Sequence, residues 1–269
     1  MESPVKTIGI IGNGVVGSAT AAAWRGWRNV DVRVWDAKLE RSTHNLPVTL
    51  DSDIIFICLP ETVVEAFLQD RRNGAFQNSN FVIRSTVPVG FTQRMRDELR
   101  LPNLVHSPEF LTARTAEHDA ANPTRNIIGS EYGEKDYHPS MPQNCTTVLY
   151  QIYEQRFDAP IFVIKSDQSE FTKLMTNAHS AVKVALFNEF ASFAEARGLD
   201  WQTCLDLFLM SGWVNPMHTQ VPGPDGKRGF GGTCLPKDLK QLIECFAQFG
   251  LRSLVMQAAD YRNQFDRVK

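Results

Sequence analysis

No apolar run in this 269-residue sequence approaches the length of a bilayer-spanning helix, and neither sign of charge prevails. Lys plus Arg number 28 against 30 Asp plus Glu, a net charge of -2, so no basic excess marks a nucleic-acid or other polyanion partner. The five cysteines, Cys58, Cys145, Cys204, Cys234 and Cys245, are odd in number and contain no C-x-x-C pair. That argues against a disulfide framework and against a cysteine-based zinc centre, and no metal is expected. Repeats and low-complexity tracts are missing, and Met1 to Lys6 leads into an apolar β run rather than a signal peptide. The expectation is a cytoplasmic protein with no membrane partner, long enough for one large domain or two moderate ones.

The first half alternates short apolar runs with helical stretches. Lys6 to Ile11, Val30 to Trp35, Asp53 to Leu59, Asn80 to Ser85, Asn103 to His106 and Arg125 to Gly129 read as strands. Several are apolar on both faces, as a buried parallel sheet requires. Cys145 to Arg156 reads as a helix and Pro160 to Lys165 as a last strand, after a polar stretch over Tyr132 to Asn144 that reads as a loop or a degraded helix. The pattern is α/β, a Rossmann-like doubly wound sheet. Only Ala37 to Ser52 separates strands two and three, so the crossover helix there is short or absent.

Between the first two strands stands Gly12-Asn13-Gly14-Val15-Val16-Gly17, followed by a helix over Ser18 to Trp24, and strand two ends in Asp36. A G-x-G-x-x-G triplet has chemical meaning in this context. Its glycines permit the tight turn, the approach of a pyrophosphate to backbone and close helix packing, and the helix N-terminus attracts the anion. Asp36 would accept from the adenosine ribose hydroxyls and repel a 2′-phosphate, which favours NAD over NADP although Arg41 is near; the alternative for Asp36 is a helix cap. Strand three ends in Leu59-Pro60 and strand four in Ser85-Thr86, both at the carboxyl edge where ligands bind in such sheets. Thr86 is placed to reach the nicotinamide, or is a turn residue before Pro88. Glu109, after strand five, is a candidate acid or base or else an ion-pair partner; His106 and Cys58 read as structural.

The second half is helical. Ser169 to Arg197 contains neither Gly nor Pro and carries apolar residues at helical spacing, which predicts one helix about 40 Å long. Its apolar surface exceeds what a small second domain covers, so a homodimer through this helix is expected. Lys173 and Asn177 are four apart and share a face; Glu170 with Lys173 also fits a surface salt bridge. The domain boundary is set at 1–166 and 167–269, followed by helices at Trp201 to Met210, Pro236 to Phe249 and from Ser253 onward. Within Arg228-Gly229-Phe230-Gly231-Gly232-Thr233-Cys234-Leu235-Pro236-Lys237-Asp238, three glycines free the backbone to close on a ligand. Pro236 suits a first helical position, so Cys234 lies near a helix N-terminus, where the dipole and Lys237 favour the nucleophilic thiolate. The alternative is a small buried cysteine in a turn.

Taken in order, these segments resemble the UDP-glucose and GDP-mannose 6-dehydrogenases: Gly12 to Gly17, Ser85-Thr86-Val87-Pro88-Val89-Gly90, Ser107-Pro108-Glu109-Phe110-Leu111, Lys173 with Asn177, Asn188-Glu189 and Gly229 to Asp238. The resemblance implies an enzyme that oxidises the C6 alcohol of a nucleotide sugar twice with two NAD through a cysteine thioester, yielding the uronic acid. It implies Cys234 as nucleophile, Lys173 and Asn177 at the C6 oxyanion, Asp238 handling water and proton, and Glu109 in thioester hydrolysis. Phe110, Leu111, Phe230 and Gly231 would line the sugar-nucleotide pocket. The sequence departs from the family at Ala113, where a second glutamate is usual, and in stopping at Lys269, before the family's C-terminal Rossmann-like domain. Such a chain is a minimal enzyme, a fragment, or half of a split enzyme completed by a separately encoded C-terminal domain. A 6-phosphogluconate or 3-hydroxyacid type dehydrogenase shares the helical Lys and Asn but has no use for Cys234. The third reading is an NAD or nucleotide-sugar binding protein without turnover.

Overall fold

The computed structural model describes residues 3–70, 79–133, 135–138 and 140–268. The chain divides into two compact units, Met1–Lys173 and Leu174–Lys269. The first is the expected α/β layer structure. Its strands are β1 (Thr7–Ile11), β2 (Asp31–Trp35), β3 (Ile54–Ile57), β4 (Asn80–Ile83), β5 (Leu104–His106), β6 (Asn126–Ser130) and β7 (Ile161–Lys165), in the order β2-β1-β3-β4-β5-β6-β7. All of β3 is buried, whereas β2, at the edge, carries Asp31 and Arg33. A run apolar on both faces belongs inside the sheet and a polar one at its margin.

Of the six strand pairings five are parallel, and one is not: β5 and β6 run antiparallel, with His106 opposite Gly129. The reason lies in the intervening helix. After β5 the chain forms only α5 (Ala116–Ala121), whose Ala116 and Ala120 pack on Ala19 and Ala23 of α1 (Val15–Trp24). The alanine faces hold α5 against α1, so the chain turns back and enters β6 in the opposite sense. As expected, little lies between β2 and β3, namely one 3-10 turn at Leu39–Arg41 and the five-residue α2 (Leu46–Leu50). The other helices of this unit are α3 (Glu61–Asp70), α4 (Phe91–Leu99) and α6 (Cys145–Arg156). Trp24 anchors one side of the core, stacked near Phe56 and Tyr153 with Phe157 edge-on.

The long helix α7 (Ser166–Ala196) starts three residues before the expected Ser169. Its opening turns belong to the first unit and are docked by a polar face. Residues 166, 169, 170 and 173 are all buried, and the spacing of three, one and three places them on one side of the helix. A Cβ on Gly129 would lie 2.6 Å from Ser169 Cβ and 3.0 Å from Ser166 Cα. Glycine is therefore what lets α7 reach β6 at this distance. Gly129→Ala is expected to lower stability by about 1–3 kcal/mol, the usual cost of overpacking. Chemical denaturation checks it, and an unchanged midpoint would show that α7 can shift at no cost.

The second unit is all helical: the remainder of α7, then α8 (Trp201–Leu209), α9 (Cys234–Gln248) and α10 (Leu254–Asp266). Asp200 caps α8, its carboxylate accepting from the N–H groups of Gln202 and Thr203. Leu239 and Leu242 form the buried side of α9. That helix begins at Cys234, two residues before the Pro236 start expected from the sequence. Proline is tolerated throughout the first turn, where its missing N–H has no intrahelical partner, so it marks the start only to within a turn.

Candidate active site

The glycine turn after β1 is built as its sequence suggests. Gly12 has φ +92, and a Cβ there would press on Cys58 O at 2.7 Å. A Cβ on Gly17 would lie 1.8 Å from Gly12 O, so α1 can cross the turn only because position 17 is glycine. Gly14 faces open space and is the N-cap of α1, with no side chain to occupy the first-turn N–H groups. Val15, first in α1, is exposed, and Val16 packs on the core. An anion approaching Gly14 thus meets bare backbone donors at a helix N-terminus. These features fit a dinucleotide pyrophosphate.

Asp36 is tied to this turn directly: its Oδ2 accepts from Asn13 N at 2.7 Å and its Oδ1 from Lys38 N at 2.8 Å. Asn13 Nδ2 donates to Arg41 O at 2.7 Å, which binds the segment after β2 to the glycine turn. Burial opposes ionisation of Asp36, but those two N–H donors and the charges of Arg41 and Lys38 outweigh it and hold the carboxyl below its usual range. An anion with unused acceptor capacity thus stands beside the turn, as a ribose diol requires. Leu59 and Thr86 are half-buried and Pro60 exposed, following β3 and β4. Cys58 is buried, and burial pushes its thiol up to about 12, which makes it a packing residue.

Beyond β5, Glu109 and Lys173 form an ion pair at 3.0 Å, both side chains under one-tenth exposed. Glu109 Oε2 also accepts from Leu111 N at 2.6 Å. Phe110 meets two cations, with the Arg125 guanidinium 4.0 Å and Lys173 Nζ 5.4 Å from its ring centre. Lys173 is not part of a surface salt bridge with Glu170. That reading fails because residue 170 sits on the buried side of α7, where its carboxylate accepts from Gly90 N and Thr92 N at the start of α4.

In the second unit Cys234 is the first residue of α9, and it is exposed, unlike the buried turn cysteine of the alternative reading. Four residues on, and so on the same face of α9, Asp238 is almost wholly buried. Its carboxylate accepts from Asn177 Nδ2 and from Lys237 Nζ, each at 2.5 Å. A nucleophile-type side chain, a buried carboxylate and an amide are thereby grouped around one helix start.

The glycines before Cys234 do different work from one another. Gly229 has φ +69 and a Cβ there would lie 2.4 Å from Asn263 Oδ1, while one on Gly231 would lie 1.2 Å from Arg267 Nη2. Side chains from the C-terminal part of the chain fill the space beside the Cα at these two positions. Gly232, φ +74, alone of the three faces open space. Phe230 is buried, and both its N–H and its C=O bond Asn263, at 2.7 and 3.0 Å. Asn188 Oδ1 accepts from Gly229 N at 3.1 Å. Asn263 and Arg267 carried no signal in the sequence, because a loop clamp declares itself only through its partner.

The fold defines a class first: a glycine-turn α/β unit followed by a helical unit on one long helix. Solved structures share this fold. A UDP-glucose dehydrogenase from Pyrobaculum islandicum superposes with a TM-score of 0.78 at 22% identity over 98% of this chain and 69% of that one. A 3-hydroxyisobutyrate dehydrogenase from Mycobacterium tuberculosis gives 0.75 at 19% identity over 98% and 94%. Residues 167–265 match the model of the UDP-glucose/GDP-mannose dehydrogenase family, central domain. The chain is 29% identical over 204 residues to the UDP-glucose 6-dehydrogenase of Campylobacter jejuni, covering 75% of this chain and 48% of the relative. To UDP-glucose 6-dehydrogenase TuaD of Bacillus subtilis it is 25% identical over 257 residues, 89% of this chain and 52% of the relative. The chain thus spans about half the length of these curated relatives. No helix among the described residues is long and apolar enough to cross a membrane, and they hold no cluster of metal-binding side chains.

Proposed function

We propose that the chain oxidises the C6 alcohol of a nucleotide sugar to the uronic acid with NAD, UDP-glucose being the first substrate to test and GDP-mannose the second. The observation that carries this is the exposed thiol at the first position of α9, one turn before a buried carboxylate held by Asn177. NAD would lie against Gly12 to Gly17 and Asp36, with Leu59, Pro60 and Thr86 toward its nicotinamide, and would accept a hydride in each of two oxidations. In the first, the C6 alcohol loses a proton and a hydride and becomes an aldehyde. The Cys234 thiolate adds to that carbonyl, giving a thiohemiacetal. Loss of the second hydride leaves a thioester, which water hydrolyses to the carboxylate and the free thiol. Lys173 and Asn177 are assigned to the C6 oxygen as negative charge develops on it. Asp238 and Glu109 are assigned to the water and its protons, and Phe110, Leu111, Phe230 and Gly231 to the pocket for the sugar nucleotide.

The direct assay is NADH formed per sugar consumed, where two supports the proposal and one does not. Absence of NADH with a panel of UDP- and GDP-sugars, with and without a separately encoded C-terminal domain, would favour a binding protein. A 3-hydroxyacid type dehydrogenase shares the fold, but it would form one NADH and leave Cys234 without a role. Calorimetry is expected to show NAD bound more tightly than NADP, because the Asp36 carboxylate repels a 2′-phosphate. Equal affinity for the two would remove Asp36 from the ribose site. The cytoplasm is the proposed location.

A homodimer through α7 is part of the same reading. Leu186, Phe190 and Phe193 are exposed, lie at spacings of four and three on that helix, and form an apolar stripe. Light scattering at micromolar concentration is expected to give twice the 30.3 kDa chain mass. A monomer would end the dimer proposal.

A further inference from the structure

We infer that Glu170 is a positioning residue for the nicotinamide side of the cofactor site, an inference that rests on the NAD reading above. Residues 84–90 join β4 to α4 and carry Thr86 near their centre. Two consecutive residues in the opening turns of α7 hold this segment at its two ends. At the first end Ser169 Oγ bonds His106 Nδ1 at 2.8 Å and His106 Nε2 bonds Ser85 O at 3.3 Å. Burial, opposed by the bond to Ser85 and reinforced by the charges of Arg84 and Lys173, pulls the His106 pKa down to about 3, so the ring is neutral. A carbonyl only accepts; Nε2 therefore carries the proton, and Nδ1 accepts from the Ser169 hydroxyl.

At the other end Glu170 Oε2 accepts from Gly90 N at 2.6 Å and Oε1 from Thr92 N at 2.8 Å. Gly90, with φ +88, is the N-cap of α4 and has no side chain with which to cap the helix itself. The carboxylate that does so comes from α7 and is completely buried. Three residues beyond it on α7 stands Lys173. One stretch of helix therefore fixes both the segment bearing Thr86 and the ammonium assigned to the C6 oxyanion, which sets the hydride-accepting side and the charge-stabilising side in a common frame.

The test titrates NAD and ADP-ribose by calorimetry into the wild type, Glu170→Gln and Glu170→Asp. Glutamine keeps the shape, but only its oxygen can accept, and its NH2 meets the other N–H donor to donor. NAD affinity is expected to fall roughly tenfold. ADP-ribose, which lacks the nicotinamide and meets only the glycine turn and Asp36, is expected to keep its wild-type affinity. A general loosening of the fold would weaken both ligands together, and that result overturns the inference, as does unchanged NAD binding. Glu170→Asp keeps the charge but shortens the reach. It is expected to shift NAD in the same direction, and it carries the comparison if the glutamine variant does not fold. If the wild type binds neither ligand, the cofactor reading fails and this inference with it; if it binds both and the variants do not separate them, the inference alone fails.

Discussion

Cys234→Ser is expected to abolish net formation of the uronic acid while leaving the affinities for NAD and for the nucleotide sugar at their wild-type values. A serine hydroxyl at neutral pH is a far weaker nucleophile than a thiolate unless a base activates it. The nearest carboxylate on its own helix face, Asp238, is already bonded to Asn177 and Lys237. The rate of the second oxidation should therefore drop roughly a thousandfold or more, the scale on which covalent nucleophiles are missed. Cys234 is exposed, so the exchange of sulfur for oxygen leaves the packing alone and an altered melting temperature is not expected. Stopped-flow measurement of NADH is the decisive readout. Two NADH per sugar from the serine variant at the wild-type rate would rule out the thioester route.

Lys173→Ala is expected to slow both hydride steps by about 100-fold, equivalent to ~3 kcal/mol for one lost oxyanion partner. The substitution has a second effect, because Glu109 is buried with Lys173 as its ion-pair partner. Removing one member of a buried pair strands the other charge and typically costs about 3–5 kcal/mol of stability. The two effects can be separated. In Lys173→Met with Glu109→Gln no charge is stranded, so the melting temperature should recover most of the loss while the first hydride step, in which Glu109 has no assigned role, stays slow. Recovery of turnover along with stability would show that Lys173 serves the fold alone. Unchanged turnover in a stable Lys173→Ala would remove it from the oxyanion.

The order of elements was legible in the residues because hydrophobic period and turn residues are local properties. A run such as Ile54 to Ile57 can only be a buried strand, and Gly12, Gly14 and Gly17 after a strand and before a helix can form only a few turns. Strand limits came out a residue or two long, and three helices begin earlier than expected, at Val15, Ser166 and Cys234. Start signals such as Pro236 act anywhere in a first turn.

The sequence by itself determined the α/β unit, the helical unit after it, the glycine turn with Asp36, and the cysteine at a helix start. Each rests on neighbours in the chain or on spacings of three and four. Tertiary structure alone decided that β6 opposes β5, that Lys173 pairs with Glu109 and not Glu170, and that Gly229 and Gly231 make room for Asn263 and Arg267. The physical reason is common to all three. Which charge an ammonium meets, or what fills the space beside a glycine, depends on groups tens of residues distant, whose approach is set by how whole elements pack.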